Sequence, residues 1–330
     1  MTETSIPFEA HIMCRSGFTQ TVAGSRFPGK AVLPNRSLHK VKVGPRSVLV
    51  LFEIHAKDFG SPVVILAHGM GGCSESGYMR RIAAKLSNKG FGVVMMNHRG
   101  SGSGMGMSDI LWNGGSSEDL ERTVEYVVRL HPRRNILLVG FSLSGNILLK
   151  YLGEGRRVPS SVQGAFAVNP PIDLKVSSEV ISRNSYGGVF NRYYLNLIQR
   201  QREALGECFP EAFNMGVEAK TIREFDEVYT APAAGYKDAD EYYRKSSSKQ
   251  FFKSIQLPTR ILFSRDDPFI PSEVFQNVSM NSYVDFQSID RGGHMGYICK
   301  KPTPLGDRRW MDFSIVDWAL SLCGGSGKSF

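Results

Sequence analysis

The feature that most constrains this chain is an alternation between short, wholly apolar runs and longer stretches with helical spacing. Val63-Val-Ile-Leu-Ala67 is the sharpest of the runs. It is strand-sized and β-branched, with no polar residue on either side of the pleat, so both faces must be covered. Residues 91–96, 135–139, 164–168 and 260–263 are similarly short and mostly apolar, with Asn135 and Arg260 opening two of them, and 283–289 alternates more loosely. Helical patterns lie between them. Residues 78–86 are followed by Gly90 as a stop signal, and 118–130 put Leu120, Val124, Val127 and Val128 on one face. Residues 145–152 are almost wholly apolar, and 310–322 form the last helix. This alternation predicts an α/β fold: a mostly parallel central sheet with helices on both faces. Residues 38–43 and 48–54, joined at Gly44-Pro45, predict an N-terminal antiparallel hairpin.

The pattern breaks between about residues 170 and 257. That stretch is helical, polar and rich in Tyr. It sits between two core strands, so it reads as a cap inserted over the sheet, about residues 172–252, within a single domain spanning 1–330. With 330 residues and 42% apolar composition, the chain has enough material for a large core and too much for a disordered one. Its 34 Gly follow no collagen repeat.

The formal charge is +9, carried by dispersed pairs such as Arg80-Arg81, Arg133-Arg134 and Lys300-Lys301. No basic run forms a nucleic-acid stripe, so no nucleic-acid partner is expected. The charge reads as a solvated surface; the sharper alternative is attraction to anionic lipid, a peripheral membrane contact. The five Cys are odd in number and widely spaced, with no CxxC pair, which predicts reduced thiols, no disulfide framework and no zinc clip. The seven His lack metal-ligand spacing. No secretory signal opens the chain, and the apolar runs are too short to span a bilayer. The expectation is a cytoplasmic protein without metal or cofactor.

The chemistry concentrates in three places. In Asn135-Ile-Leu-Leu-Val-Gly140-Phe-Ser142-Leu-Ser144-Gly145, a strand runs through a small-residue turn into an apolar helix. That is the setting of a nucleophile elbow, G-x-S-x-G, except that Ser144 stands where the last Gly belongs. Ser142 fits the nucleophile position; reading Ser144 there would put Ser142 and Asn146 at the glycine positions, a worse fit. A serine nucleophile needs a base, and the base an orienting acid. Past the strand at 260–263 come Asp266 and Asp267, where Asp267 is the expected acid and Asp266 the alternative. Past the last strand, Arg291-Gly-Gly-His294-Met-Gly296 offers His294 as general base. An oxyanion needs two preorganised N–H donors. Leu143, after the nucleophile, is one; the loop His68-Gly-Met70-Gly71-Gly72 supplies the other from Met70, with Gly71 as the fallback. His68 then reads as a structural loop residue.

Two glycine-rich stretches are set aside. Gly100–Gly106 lacks the phosphate-cradle register. Gly324-Gly-Ser-Gly-Lys-Ser329 falls after the last helix, and 324–330 read as a disordered tail.

These residues together resemble the YheT-like, embryogenesis-associated branch of the α/β-hydrolase superfamily. The resemblance rests on His68-Gly-Met-Gly-Gly72 with Tyr78, Asn97-His-Arg-Gly100, and Gly140-Phe-Ser-Leu-Ser-Gly-Asn146. It continues through Thr221-Ile-Arg-Glu-Phe-Asp226, Arg265-Asp-Asp-Pro-Phe269 and Gly292-Gly-His-Met-Gly296. It implies a serine hydrolase acting on a small-molecule carboxylic ester, lipid-derived in several relatives. The same triad would also serve acyl transfer to an alcohol or thiol, or remain in a weakly catalytic protein that binds acyl ligands. The departures are Ser144 for the family's Gly and Ser101 where the family often has Cys. Neither oligomeric state nor acyl chain length is legible.

Overall fold

A computed structural model describes residues 6–183, 185–213 and 218–323. The chain's strands are β1 (Ser37–Gly44), β2 (Ser47–Ile54), β3 (Val63–Ala67), β4 (Gly92–Asn97), β5 (Ile136–Phe141), β6 (Val162–Val168), β7 (Thr259–Ser264) and β8 (Val284–Ile289). They form one sheet in the order β1-β2-β4-β3-β5-β6-β7-β8. β1 pairs antiparallel with β2, and β2 with β4; the other pairings are parallel. The expected hairpin and every expected strand are present. The loosely alternating one, β8, is an edge strand, half-buried along its length.

The helices before β6 are α1 (Gly17–Arg26), α2 (Gly77–Asn88), α3 (Ser117–Leu130) and α4 (Leu143–Gly153). Between β6 and β7 come α5 (Leu174–Ser182), α6 (Val189–Cys208), α7 (Pro210–Phe213), α8 (Ile222–Phe225), α9 (Ala231–Ala233) and α10 (Ala239–Ser246); α11 (Trp310–Cys323) closes the described chain.

The pleat explains why β3 carries no polar residue. Val63, Ile65 and Ala67 of β3 pack with Leu138, α3 and α4 on one face. Val64 and Leu66 pack with Leu137, Val139, α2 and α11 on the other. Each fully buried Leu or Val contributes about 1.5–3 kcal/mol, so a polar residue on either face would lose that and bury an unpaired group. α2 and α11 are also joined by Asp312, which accepts from Arg81 Nε at 2.9 Å and Lys85 Nζ at 2.8 Å. Burial alone would raise the Asp312 carboxyl, but the two cations bring it below its ordinary value.

α1 was not legible as a helix. Its sequence, GFTQTVAGSR, has no apolar stripe. A capping box between Ser16 and Thr19 starts it. Tertiary contacts to the loop after β8 hold it, as described below. The expected tail, 324–330, lies outside the described residues.

Candidate active site

β5 ends at Phe141 and α4 begins at Leu143, so Ser142 alone makes the turn. Its backbone sits at φ 52°, ψ −120°, a region that costs a non-glycine residue about 1–3 kcal/mol. The surroundings offset that cost. Ser142 N–H donates to the Val168 carbonyl of β6 at 2.8 Å, and its own carbonyl accepts from Gly145 N–H at 2.7 Å. The small neighbours are dictated by contact: a Cβ on Gly140 would lie 2.5 Å from the Ser144 carbonyl, and one on Gly69 would lie 3.0 Å from Ser142 Cβ.

The sheet's carboxyl edge brings the other two residues to this turn. Ser142 Oγ is 2.8 Å from His294 Nε2, and His294 Nδ1 is 2.7 Å from Asp267 Oδ2. An ionised carboxylate only accepts, so Nδ1 carries the proton and Nε2 is left to accept from the serine hydroxyl. Asp267 is buried and fully engaged. Its Oδ1 accepts from the N–H groups of Phe269 at 2.8 Å and Ile270 at 3.2 Å, and Oδ2 also accepts from Asn169 Nδ2 at 2.7 Å. Of the two candidate acids, Asp267 thus lies on His294. Asp266 instead accepts from Ser264 Oγ and from Gly293 N–H at 2.8 Å, tying the end of β7 to the histidine loop.

On the other side of Ser142, Gly69 N–H is used by Tyr78 Oη at 2.9 Å and Gly72 N–H by the Gly69 carbonyl at 3.0 Å. Among the described residues the N–H groups of Met70, Gly71 and Leu143 meet no acceptor, and Met70 and Leu143 line the cavity beside Ser142. These N–H groups are available to an incoming oxygen.

Ser144 is fully buried and uses its hydroxyl twice. It donates to the His68 carbonyl and lies 2.7 Å from His98 Nε2. Its one proton is spent on the carbonyl, so His98 Nε2–H must be the donor in the second bond. His98 in turn stacks on Trp112, with ring centroids 4.1 Å apart. His68 is buried in the same knot, held through Nδ1 to the Gly69 carbonyl at 2.8 Å. Burial lowers the His68 imidazole to about 4, and burial followed by the neighbouring His68 lowers His98 well below its ordinary value. Both are neutral structural groups at pH 7, and Ser144 joins them to the start of α4.

Three supports escaped the sequence. Asn169, just past β6, bonds Asp267 and accepts from Tyr297 Oη at 2.8 Å. An Asn-Pro pair after a core strand was the available signal. Thr21 and Gln20 of α1 are the others. Thr21 Oγ1 accepts from His294 N–H at 2.8 Å, and Gln20 brackets the Ile298 backbone through both ends of its amide. The glycines of the loop let α1 come this close: a Cβ on Gly293 would lie 2.4 Å from the Gly17 carbonyl, and one on Gly296 would lie 2.3 Å from the Gln20 carbonyl. Nothing local in 17–26 announces that role.

Ser142 and His294 open into a mostly apolar cavity. Met70, Trp112 and Leu143 line it from the sheet side, and Ile181, Tyr194, Ile198, Phe225 and Tyr229 from the segment between β6 and β7. The Phe269 ring stands edge-on to His294 at 4.7 Å.

A serine at a strained strand-to-helix turn, backed by a histidine and a carboxylate from later strand ends, defines the hydrolase class of this architecture. The sequence profile of the α/β-hydrolase fold family matches residues 62–300, and the chain belongs to that family. Within it, the chain is similar to YheT of Escherichia coli, named as an esterase: 29% identity over 263 residues, 78% of this chain and 76% of YheT. It is 29% identical over 263 residues to a monoacylglycerol lipase of Saccharomyces cerevisiae, covering 77% of this chain but only 58% of that relative. The solved Pyrococcus furiosus esterase Pf2001 matches with a TM-score of 0.55 at 16% identity, over 88% of this chain and 98% of that one. At that identity the likeness is one of fold. Among the described residues no helix is long and apolar enough to cross a membrane.

Proposed function

We propose that the protein hydrolyses carboxylic esters through a serine acyl-enzyme. The observation that carries this reading is the unbroken chain Ser142 Oγ, His294, Asp267 at 2.8 and 2.7 Å, opening on an apolar cavity. Ser142 Oγ attacks the ester carbonyl while His294 Nε2 takes its proton. Asp267 holds the ring in the required tautomer and stabilises the imidazolium that forms. The carbonyl oxygen, now an anion, is met by the N–H groups of Leu143 and Met70. The tetrahedral intermediate collapses, His294 returns its proton to the leaving alcohol, and the acyl group stays on Ser142. Water, deprotonated by His294, repeats the cycle and releases the acid.

The segment over the cavity acts as a cap within a single domain, and its apolar wall fits an acyl chain. The named activities of the relatives, an esterase and a monoacylglycerol lipase, support an ester substrate of lipid type. The test is Ser142→Ala against p-nitrophenyl butyrate. Turnover should fall by about 10⁴-fold or more, and a fluorophosphonate probe should label the parent only. Wild-type turnover in the variant would refute the assignment.

A further inference from the structure

The cavity is apolar except for a few groups, and one of them is a carboxyl. Asp226 lines it from the start of a π-helical turn, Asp226–Thr230, that follows α8. Such turns interrupt a regular helix and re-aim its side chains. Asp226 Oδ2 accepts from Tyr243 Oη of α10 at 2.7 Å, and the Thr230 hydroxyl donates to the same carboxyl. Two hydroxyl donors leave about half of a carboxylate's accepting positions open. Among the described residues no Lys, Arg or His forms an ion pair with Asp226, and Arg223 of α8 is engaged with Asp240 at 3.1 Å. Asp226 therefore carries a partly unfilled charge into an apolar wall.

A second group points the same way. Ser177 of α5 lines the same cavity and is buried, and its hydroxyl has no partner among the described residues. Buried polar groups are normally satisfied, and an unmet one calls for an explanation. A ligand that brings a donor would satisfy both.

Resting on the ester-hydrolase reading above, we propose that Asp226, with Ser177 in the wall of the same cavity, is a specificity residue. It takes a hydrogen-bond donor, a hydroxyl or an ammonium, carried by the substrate away from the scissile ester. A purely aliphatic ester would strip water from the carboxylate and return nothing, whereas an ester with a donor restores the lost bond.

The discrimination has a pH signature. Burial raises the Asp226 carboxyl to about 6, against the pull of Thr230, Tyr243 and Arg223. The phenols facing it from α10, Tyr242 and Tyr243, are held neutral by burial, and Arg223 from α8 stays cationic. Asp226 alone in this group titrates near neutrality. Below about pH 6 its charge is lost and discrimination fades. The ratio of two esters isolates this, because both use the same Ser142 and His294.

The experiment compares p-nitrophenyl octanoate with its ω-hydroxy and ω-amino counterparts, and ethyl with 2-hydroxyethyl octanoate. Rates are taken per active site counted with a fluorophosphonate, which removes losses from misfolding. At pH 7.5 the wild type should favour at least one donor-bearing ester by about tenfold in kcat/KM. That preference should shrink to about twofold in Asp226→Asn, and in the wild type at pH 5. Tyr243→Phe, which keeps the carboxylate, should retain it at pH 7.5. Labelling without a preference, or a preference surviving in Asp226→Asn, overturns this inference alone. Absence of both labelling and ester cleavage overturns the ester-hydrolase reading as well.

Discussion

Ser144 offers a sharp test because its hydroxyl is buried and doubly bonded where the family's elbow has glycine. Ser144→Ala removes the hydroxyl and leaves His98 Nε2–H and the His68 carbonyl without that partner. Both residues are fully buried, so water cannot replace it. Each orphaned group costs about 1–3 kcal/mol. Alanine's better helix propensity at the start of α4 offsets about 0.5 kcal/mol. The expected destabilisation is therefore roughly 1.5–5.5 kcal/mol. Ser144→Gly loses the same bonds and adds about 1 kcal/mol for glycine within a helix, so it should be the weaker of the two. Urea unfolding at pH 7.5 reads this as a lower midpoint with an unchanged slope. Both variants should still label with a fluorophosphonate, since the nucleophile assigned here is Ser142. If Ser144→Ala unfolds within about 0.5 kcal/mol of the parent, the hydroxyl bridge is not holding the two histidines to the elbow.

Two further outcomes follow from the same surroundings. Asn169→Ala removes a donor to the Asp267 carboxylate, a bond of about 1.5–3 kcal/mol; kcat should fall about tenfold or more while KM stays within about twofold, and a raised KM with kcat unchanged would make Asn169 a binding residue instead. Burial holds the His68 imidazole at about 4 in the folded state, below the ordinary 6.5 of the unfolded chain. The unfolded state therefore binds the proton first, and the stability conferred at neutral pH is lost as pH falls from 6.5 toward 4. At about 1.4 kcal/mol per pH unit, His68 alone should cost roughly 2 kcal/mol between pH 6.5 and 5. His98 adds to this with the same sign. Urea midpoints that are flat across that window would refute the neutral assignment.

Much of this was legible because the informative residues lie next to strands. Ser142 and Asp267 each follow a core strand by a few residues, and His294 follows the last, more loosely alternating strand, so a strand pattern marked where each would stand. Asp267 could be preferred over Asp266, but only the folded structure gives Asp266 its own task, bonding Gly293. Ser144 was legible as an anomaly, not as a bridge, because its partners His68 and His98 come from other loops. Asn169, Thr21 and Gln20 were harder still. Their contacts span long sequence separations, and their local patterns match those of ordinary loops and polar helices. The glycines around His294 were visible in the sequence, but the backbone of α1 that lies against them was not.

That contact between α1 and the loop after β8 has a consequence for how the molecule becomes active. The bond from His294 to Asp267 spans 27 residues, whereas the bond from His294 to Thr21 spans 273. Loop-closure entropy grows with the logarithm of the span, so the longer closure costs about 2 kcal/mol more. Ser142, Asp267 and His294 can assemble from one stretch of the sheet, but the backbone of His294 is anchored by Thr21 of α1, which precedes it by 273 residues. Residues 273 apart must therefore meet before the backbone of His294 is fixed.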